Sequence, residues 1–187
     1  MENKEILKVE NLNVSFNNEQ ILKGITFSIK KKDVFIILGP NGSGKSTLLR
    51  AMLGLIPHTG KVTWNTKNIS YLPSQEFLTR KNLPPLNIKE FFAFKTSSEN
   101  KVIQILKEVG LDKSILNKQF NELSTGQFQR MTIAWSLVGK PKVLIFDEPT
   151  SGIDIGGEET IYTVLHEFWE KWGLTIILVT HDLNIVW

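Results

Sequence analysis

Residues 39–46 read GPNGSGKS, a pattern suited to holding the phosphates of a nucleotide. Gly39, Gly42 and Gly44 let the backbone bend and come close to phosphate. Pro40, Asn41, Ser43 and Thr47 complete the loop and the first helical turn, where N–H groups turn inward as an anion nest. Lys45 supplies a cation between the β- and γ-phosphates, and the Ser46 hydroxyl is placed to ligate Mg²⁺. A plain glycine-rich turn with an exposed lysine has the same composition. Here the complete pattern follows the apolar run VFIIL and precedes TLLRAML at helical spacing, the context the chemistry requires.

A second run, VLIFDEPT (143–150), sets Asp147 and Glu148 where an apolar strand ends. Ligands of open parallel sheets sit at the carboxyl ends of the strands, where the phosphate loop also lies. Asp147 is then placed to hold Mg²⁺, and Glu148 to orient or deprotonate an attacking water. A charged turn after a core strand is the bland alternative, and the complete phosphate loop weighs against it.

These groups need a scaffold. Residues 6–16 and the segment ILKGITFSI show period-two alternation and predict an antiparallel β-layer. VFIIL, KVLIF and TIILVT are continuous apolar runs and read as buried parallel strands, with GKVTWN and NISYLP as further strands. Helices are expected at LNIKEFFAF, ENKVIQILKEVGL, TGQFQR through MTIAWSLV, and EETIYTVLHEFWEKW. The alternation implies an α/β fold with a mainly parallel core sheet, an N-terminal antiparallel β-subdomain and an inserted helical subdomain. We expect one domain over 1–187, with the antiparallel layer at about 5–33 and the helical subdomain at about 86–135.

The composition is ordinary for a globular domain, with 41% hydrophobic and 22% charged residues. A net charge of +3 makes no case for nucleic acid, and with no cysteine there is no disulfide framework. The N-terminal MENKEILKVE lacks an apolar signal core, and no apolar run reaches the roughly 20 residues that span a bilayer.

With these motifs in order, the chain resembles the ATP-binding subunit of an ABC transporter, a P-loop NTPase. GPNGSGKS corresponds to the Walker A loop and VLIFDE to the Walker B strand. Gln75 in YLPSQEF stands where the family has its Q-loop glutamine, LSTGQ (123–127) is its signature, SGID (151–154) its D-loop and His181 in VTHD its switch histidine. Phe16 matches the aromatic that stacks on adenine. The resemblance implies ATP as substrate, Mg²⁺ as cofactor and catalysis by Glu148, His181, Gln75 and Lys45, with Ser46, Gln75 and Asp147 around the metal. It also implies a homodimer in which Ser124, Gly126 and Gln127 of one copy cap the ATP of the other, with Asp154 at the same interface. A membrane permease is the expected partner, at the inner face of the cell membrane. N-capping by Ser124 is compatible with this role.

The chain departs from the family pattern at three places. Thr125 stands where the signature usually has glycine, so that a Cβ would narrow the approach to phosphate or forbid a positive φ. Gly152 replaces the more usual Ala or Asn of the D-loop. The chain stops at Trp187, where relatives usually continue with a strand and helices, which predicts an exposed sheet edge. The short chain and LPPLNIKEFFAF after Gln75 resemble importers of the zinc/manganese type. Two alternatives are a soluble ABC-type ATPase outside transport and a non-hydrolysing nucleotide-binding regulator.

Overall fold

The structure is a computed structural model that describes residues 4–17, 19–74, 83–149 and 155–181, without the side chains of 155–160. Gln75 and the SGID segment with Asp154 lie outside the described residues.

Two sheets carry the molecule. The long alternating stretches form β1 (Glu5–Phe16) and β2 (Glu19–Lys30), paired antiparallel. Their third strand is β4 (Thr59–Trp64), which joins the other side of β1 and extends the layer beyond the expected 5–33. The second sheet is parallel, in the order β3 (Val34–Leu38), β7 (Thr175–Thr180), β6 (Val143–Asp147), β5 (Ile69–Leu72). Period-two side-chain alternation sends β6 and β7 into two cores at once. Leu144, Phe146, Ile176 and Leu178 join the helical side, while Val143, Ile145, Ile177 and Val179 join the antiparallel layer and α1 (Lys45–Met52). Both central strands are buried throughout, which is why they read as unbroken apolar runs.

β3 differs from its expected burial. Its run is as apolar as the other two, yet Ile36 is 37% and Leu38 49% exposed. It pairs with β7 on one side and, among the described residues, with no strand on the other. Phe35 nevertheless stacks on Phe27 of β2 with ring centroids 4.9 Å apart, which locks the two sheets together beneath the phosphate loop.

The helical side is built from α2 (Ile88–Ala93), α3 (Glu99–Glu108) and α4 (Thr125–Leu137), with α5 (Ile155–Trp172) between β6 and β7. α3 turns Val102, Ile105, Leu106 and Val109 inward, as its spacing predicts. Two 3₁₀ turns, Lys113–Asn117 and Phe120–Glu122, lead into α4. Their short, mixed sequences carry no periodic signal. Among the described residues no helix is long and apolar enough to cross a membrane.

Candidate functional site

Register aligns the catalytic candidates. Leu38 pairs with Thr180 and Asp147 with Val179, so β3, β6 and β7 end in one row. Gly39, Glu148 and His181 each follow one of these ends.

The loop after β3 turns through Gly42 at φ 81° and Gly44 at φ 89°, conformations that side-chain-bearing residues rarely adopt. Gly44 is the N-cap of α1 and has no side-chain oxygen to satisfy the helix's first N–H groups, which leaves them available to an anion. Gly39 is tight for another reason: a Cβ there would stand 2.8 Å from the Ser43 hydroxyl. The Lys45 side chain folds back over this loop, buried to 7% exposure, and its ammonium donates to the carbonyls of Gly39 (2.9 Å) and Pro40 (3.0 Å).

At the end of β6, Asp147 is 1% exposed and accepts from the Ser46 hydroxyl at 3.0 Å. Burial pushes its carboxyl above the usual carboxylate range, with Ser46 pulling the other way. The Tyr71 hydroxyl donates to its second oxygen at 3.5 Å and is itself pushed up to about 12, by burial first and by the Asp147 charge second. Arg50 of α1 acts on both groups, favouring their charged forms. A buried carboxylate with raised proton affinity beside a hydroxyl is a pair of hard oxygen donors, and Mg²⁺ suits such donors.

Glu148 holds φ 52°, unusual for a side-chain-bearing residue, and its N–H donates to the Val179 carbonyl at 2.9 Å. This turn aims the carboxylate back over the loop. It lies 3.6 Å from the Lys45 ammonium and 3.7 Å from the His181 ring.

A cavity of about 430 Å³ opens here, lined by Phe16, Asn41, Gly42, Gly44, Lys45, Ser46, Thr47 and Glu148. Ile21 and Ser74 also line it, and sequence reading singled out neither. Nor did it single out Tyr71 or Arg50, since nothing local marks a tyrosine of a short strand as the neighbour of a distant aspartate. Phe16 is 45% exposed, so this strand end is not core.

The signature stretch stands apart. Ser124, Gly126 and Gln127 do not line the cavity. Ser124 is the N-cap of α4: its hydroxyl accepts from the Gln127 N–H, and the Gln127 side chain accepts from the Ser124 N–H, both at 3.1 Å. Thr125 is the first residue of α4 and has no positive φ, which removes one of the two expected consequences of its Cβ. A Cβ at Gly126 would meet nothing within 4 Å.

Residues 22–151 match the family model described as ABC transporter. The chain belongs to the ABC transporter ATP-binding family. Curated relatives include the zinc import ATP-binding protein ZnuC of Buchnera aphidicola, 34% identical over 97% of this chain and 76% of that protein. The protein of the same description from Wigglesworthia glossinidia brevipalpis is 37% identical over 100% and 79%. Among solved structures, cbiO1 of Clostridium perfringens, part of the ABC transporter complex cbiONQ, superposes with a TM-score of 0.82 at 33% identity, covering 97% of this chain and 80% of that one. The dimeric cassette MJ0796 gives 0.77 at 29%, covering 95% and 89%. The fold is thus that of an ABC ATPase cassette, and this ABC subunit is an ATP-binding, ATP-hydrolysing motor of a transporter. Neither alternative, the soluble ATPase or the non-hydrolysing regulator, gains support from these relatives.

Proposed function

We propose that this ABC subunit powers zinc uptake through a separate membrane permease, with ATP bound in the cavity above β3 and β6. The reading is supported by the convergence of Lys45, Ser46, Asp147, Glu148 and His181 at one row of strand ends. The zinc assignment rests on relatives at 34–37% identity that carry that description.

The loop N–H groups and the α1 N-terminus receive the phosphates, and Lys45 exchanges its loop carbonyls and Glu148 for the β- and γ-phosphates. Ser46 and Asp147 hold Mg²⁺, which supplies Lewis-acid charge stabilisation when bound. Glu148, released from Lys45, accepts the proton of the water that attacks the terminal phosphorus as the bond to the ADP oxygen breaks. His181, beside Glu148, contacts the γ-phosphate. Phe16 stacks on adenine at the rim. Gln75, as a metal and water sensor, and Asp154, at the dimer interface, keep the roles implied by the resemblance.

The second half of the site comes from another copy. Ser124, Gly126 and Gln127 lie outside the cavity of their own chain, and the α4 N-terminus is an anion-attracting helix end. The space above Gly126 suits a phosphate brought by the facing subunit. The whole chain acts as one ATPase domain, and its helical subdomain carries the motion to the permease at the cytoplasmic face of the membrane.

The test is the mass in solution of Glu148→Gln, with and without ATP–Mg²⁺. A dimer that forms only with both, and is lost on adding Ser124→Arg, is expected. A monomer under all conditions, with ATP bound, sinks the shared-site reading. For the substrate, reconstitution with a zinc permease is expected to give ATP-driven zinc uptake. Uptake no greater than that of Glu148→Gln rejects zinc.

A further inference from the structure

The parallel sheet has a second end, remote in register from the phosphate loop. There, at the amino ends of β3, β6 and β7, lies another cavity of about 450 Å³. Ile6, Pro141 and Leu174 are buried in its lining, and the Trp172 ring flanks them. Lys31, Lys32, Lys140 and Lys142 are exposed around it.

Among the described residues the four lysines meet around the recess without a counter-charge. Lys8, Lys45, Lys89 and Lys171 each pair with a carboxylate. Among the described residues no carboxylate lines this cavity, and none of its four lysines is in an ion pair. Two of them hold strained backbone, Lys32 at φ 68° and Lys140 at φ 46°. A left-handed position favours Gly or Asn, so lysine at both is a local cost that neither turn requires. Lys140 sits just past the end of α4, where the helix dipole favours a cation, but that accounts for one of the four.

The walls are fixed. The Lys32 N–H donates to the Thr175 hydroxyl at 2.9 Å, and the Trp169 ring N–H donates to the Lys32 carbonyl at 2.6 Å. The Thr175 N–H donates to the Lys142 carbonyl at 3.0 Å, and the Asn68 side chain to the Lys140 carbonyl at 2.9 Å. Four segments distant in sequence are thus tied together, three of them lining the recess.

We propose that this recess binds a small amphiphilic anion, an acyl or aryl body against the partly exposed Trp172 with a carboxylate or phosphate among the four lysines. Its volume lies in the range of small-ligand sites, and its apolar lining and cationic rim match the two parts of such a molecule. A simple anion lacks the body, and a cationic amphiphile opposes the charge. The same headgroup chemistry occurs in free amphiphiles and in anionic lipids.

Titration calorimetry on the full chain tests this with decanoate, acetate and decyltrimethylammonium as probes. Saturable one-to-one binding of decanoate is expected, with the other two at least about tenfold weaker. Lys140→Gln/Lys142→Gln is expected to weaken decanoate about three- to tenfold while leaving the urea midpoint unchanged, because both side chains are exposed. Saturating ATP–Mg²⁺ is expected to leave the titration unchanged, which separates this recess from the nucleotide cavity. Co-sedimentation with phosphatidic acid vesicles distinguishes a membrane source from a free one, and binding in either form supports the proposal. Decanoate binding that ATP abolishes, that survives the double substitution intact, or that acetate equals overturns it. So does binding of polyglutamate in place of decanoate, which would make the recess a peptide site.

Discussion

Gly44 and Gly126 sit at the starts of two helices and answer to different constraints. Gly44 holds φ 89°, and a Cβ on it would press within 3.2 Å of Leu22 and 3.3 Å of Ile21. Gly126 has an ordinary helical backbone and open space around it, and α4 would be better formed with alanine there. The phosphate loop therefore owes its glycines to its own chain. Nothing in its own chain requires the signature glycine, which is what the proposed shared site predicts. One half of the proposed site is built within its own chain; the other, on the proposed reading, is completed by a facing copy.

The largest expected effect falls on the hydrolytic step, which on the proposed reading needs both halves. Glu148→Gln keeps the shape of the side chain and removes its basicity. Hydrolysis is expected to fall by about 10²–10⁴-fold while ATP affinity is kept or rises, because the amide no longer holds Lys45 as an ion pair. Steady-state phosphate release beside ATP titration checks this, and a variant retaining a tenth of the activity rejects Glu148 as base.

Next come the two glycines themselves. Gly44→Ala is expected to cost about 1–2 kcal/mol of stability from backbone strain and to lose nucleotide. Gly126→Ala is expected to raise stability by roughly 0.5–1 kcal/mol, keep nucleotide affinity in the monomer, and still lose ATP-dependent dimerisation and turnover. Urea unfolding and light scattering read the opposite signs. Equal destabilisation by both changes would break the contrast.

How much of this was open to sequence reading follows the range of the forces involved. The phosphate loop, the Asp147–Glu148 pair and the Ser124 cap are local, each written in a few consecutive residues, and all were legible. The exposure of β3 was not, because Val34–Leu38 is as apolar as β6 and only the order β3-β7-β6-β5 tells an edge from a centre. Tyr71 and Ser74 reach the site through pairing of β5 with β6, a contact across some seventy residues of chain that leaves no local mark. The left-handed Glu148 is likewise invisible, since its neighbours are ordinary residues. The third antiparallel strand, β4, was found as a strand, but the sheet it joins is set by its partner β1.

A smaller effect separates the buried Asp147 carboxylate from the exposed signature. Burial holds Asp147 above its ordinary value of 3.8. Its folded proton affinity exceeds the unfolded one, so its contribution to stability is complete below 3.8 and is lost as pH rises through the folded value. Asp147→Asn removes that dependence. In the absence of nucleotide and metal the variant is expected to gain stability relative to the parent as pH rises from about 4 to 7, while its hydrolysis is lost. Parallel urea midpoints across that range reject the burial cost.

The smallest expected effect lies at the rim, where Phe16 joins the cavity from the antiparallel sheet. At 45% exposure its ring contributes little to the fold, so Phe16→Ala is expected to leave the urea midpoint nearly unchanged. An aromatic contact is worth about 0.5–1.5 kcal/mol, which corresponds to a KM for ATP raised about two- to twelvefold at constant kcat. Trp or Tyr at position 16 should restore it, because stacking needs a flat ring and not a particular one. Adenine-free triphosphate supplies the control: its hydrolysis is expected to be the same in Phe16→Ala and the parent. If triphosphate loses as much as ATP, Phe16 acts by shaping the phosphate loop beside it. The antiparallel layer would then belong to the half of the site built within its own chain, as a support and not as a base reader.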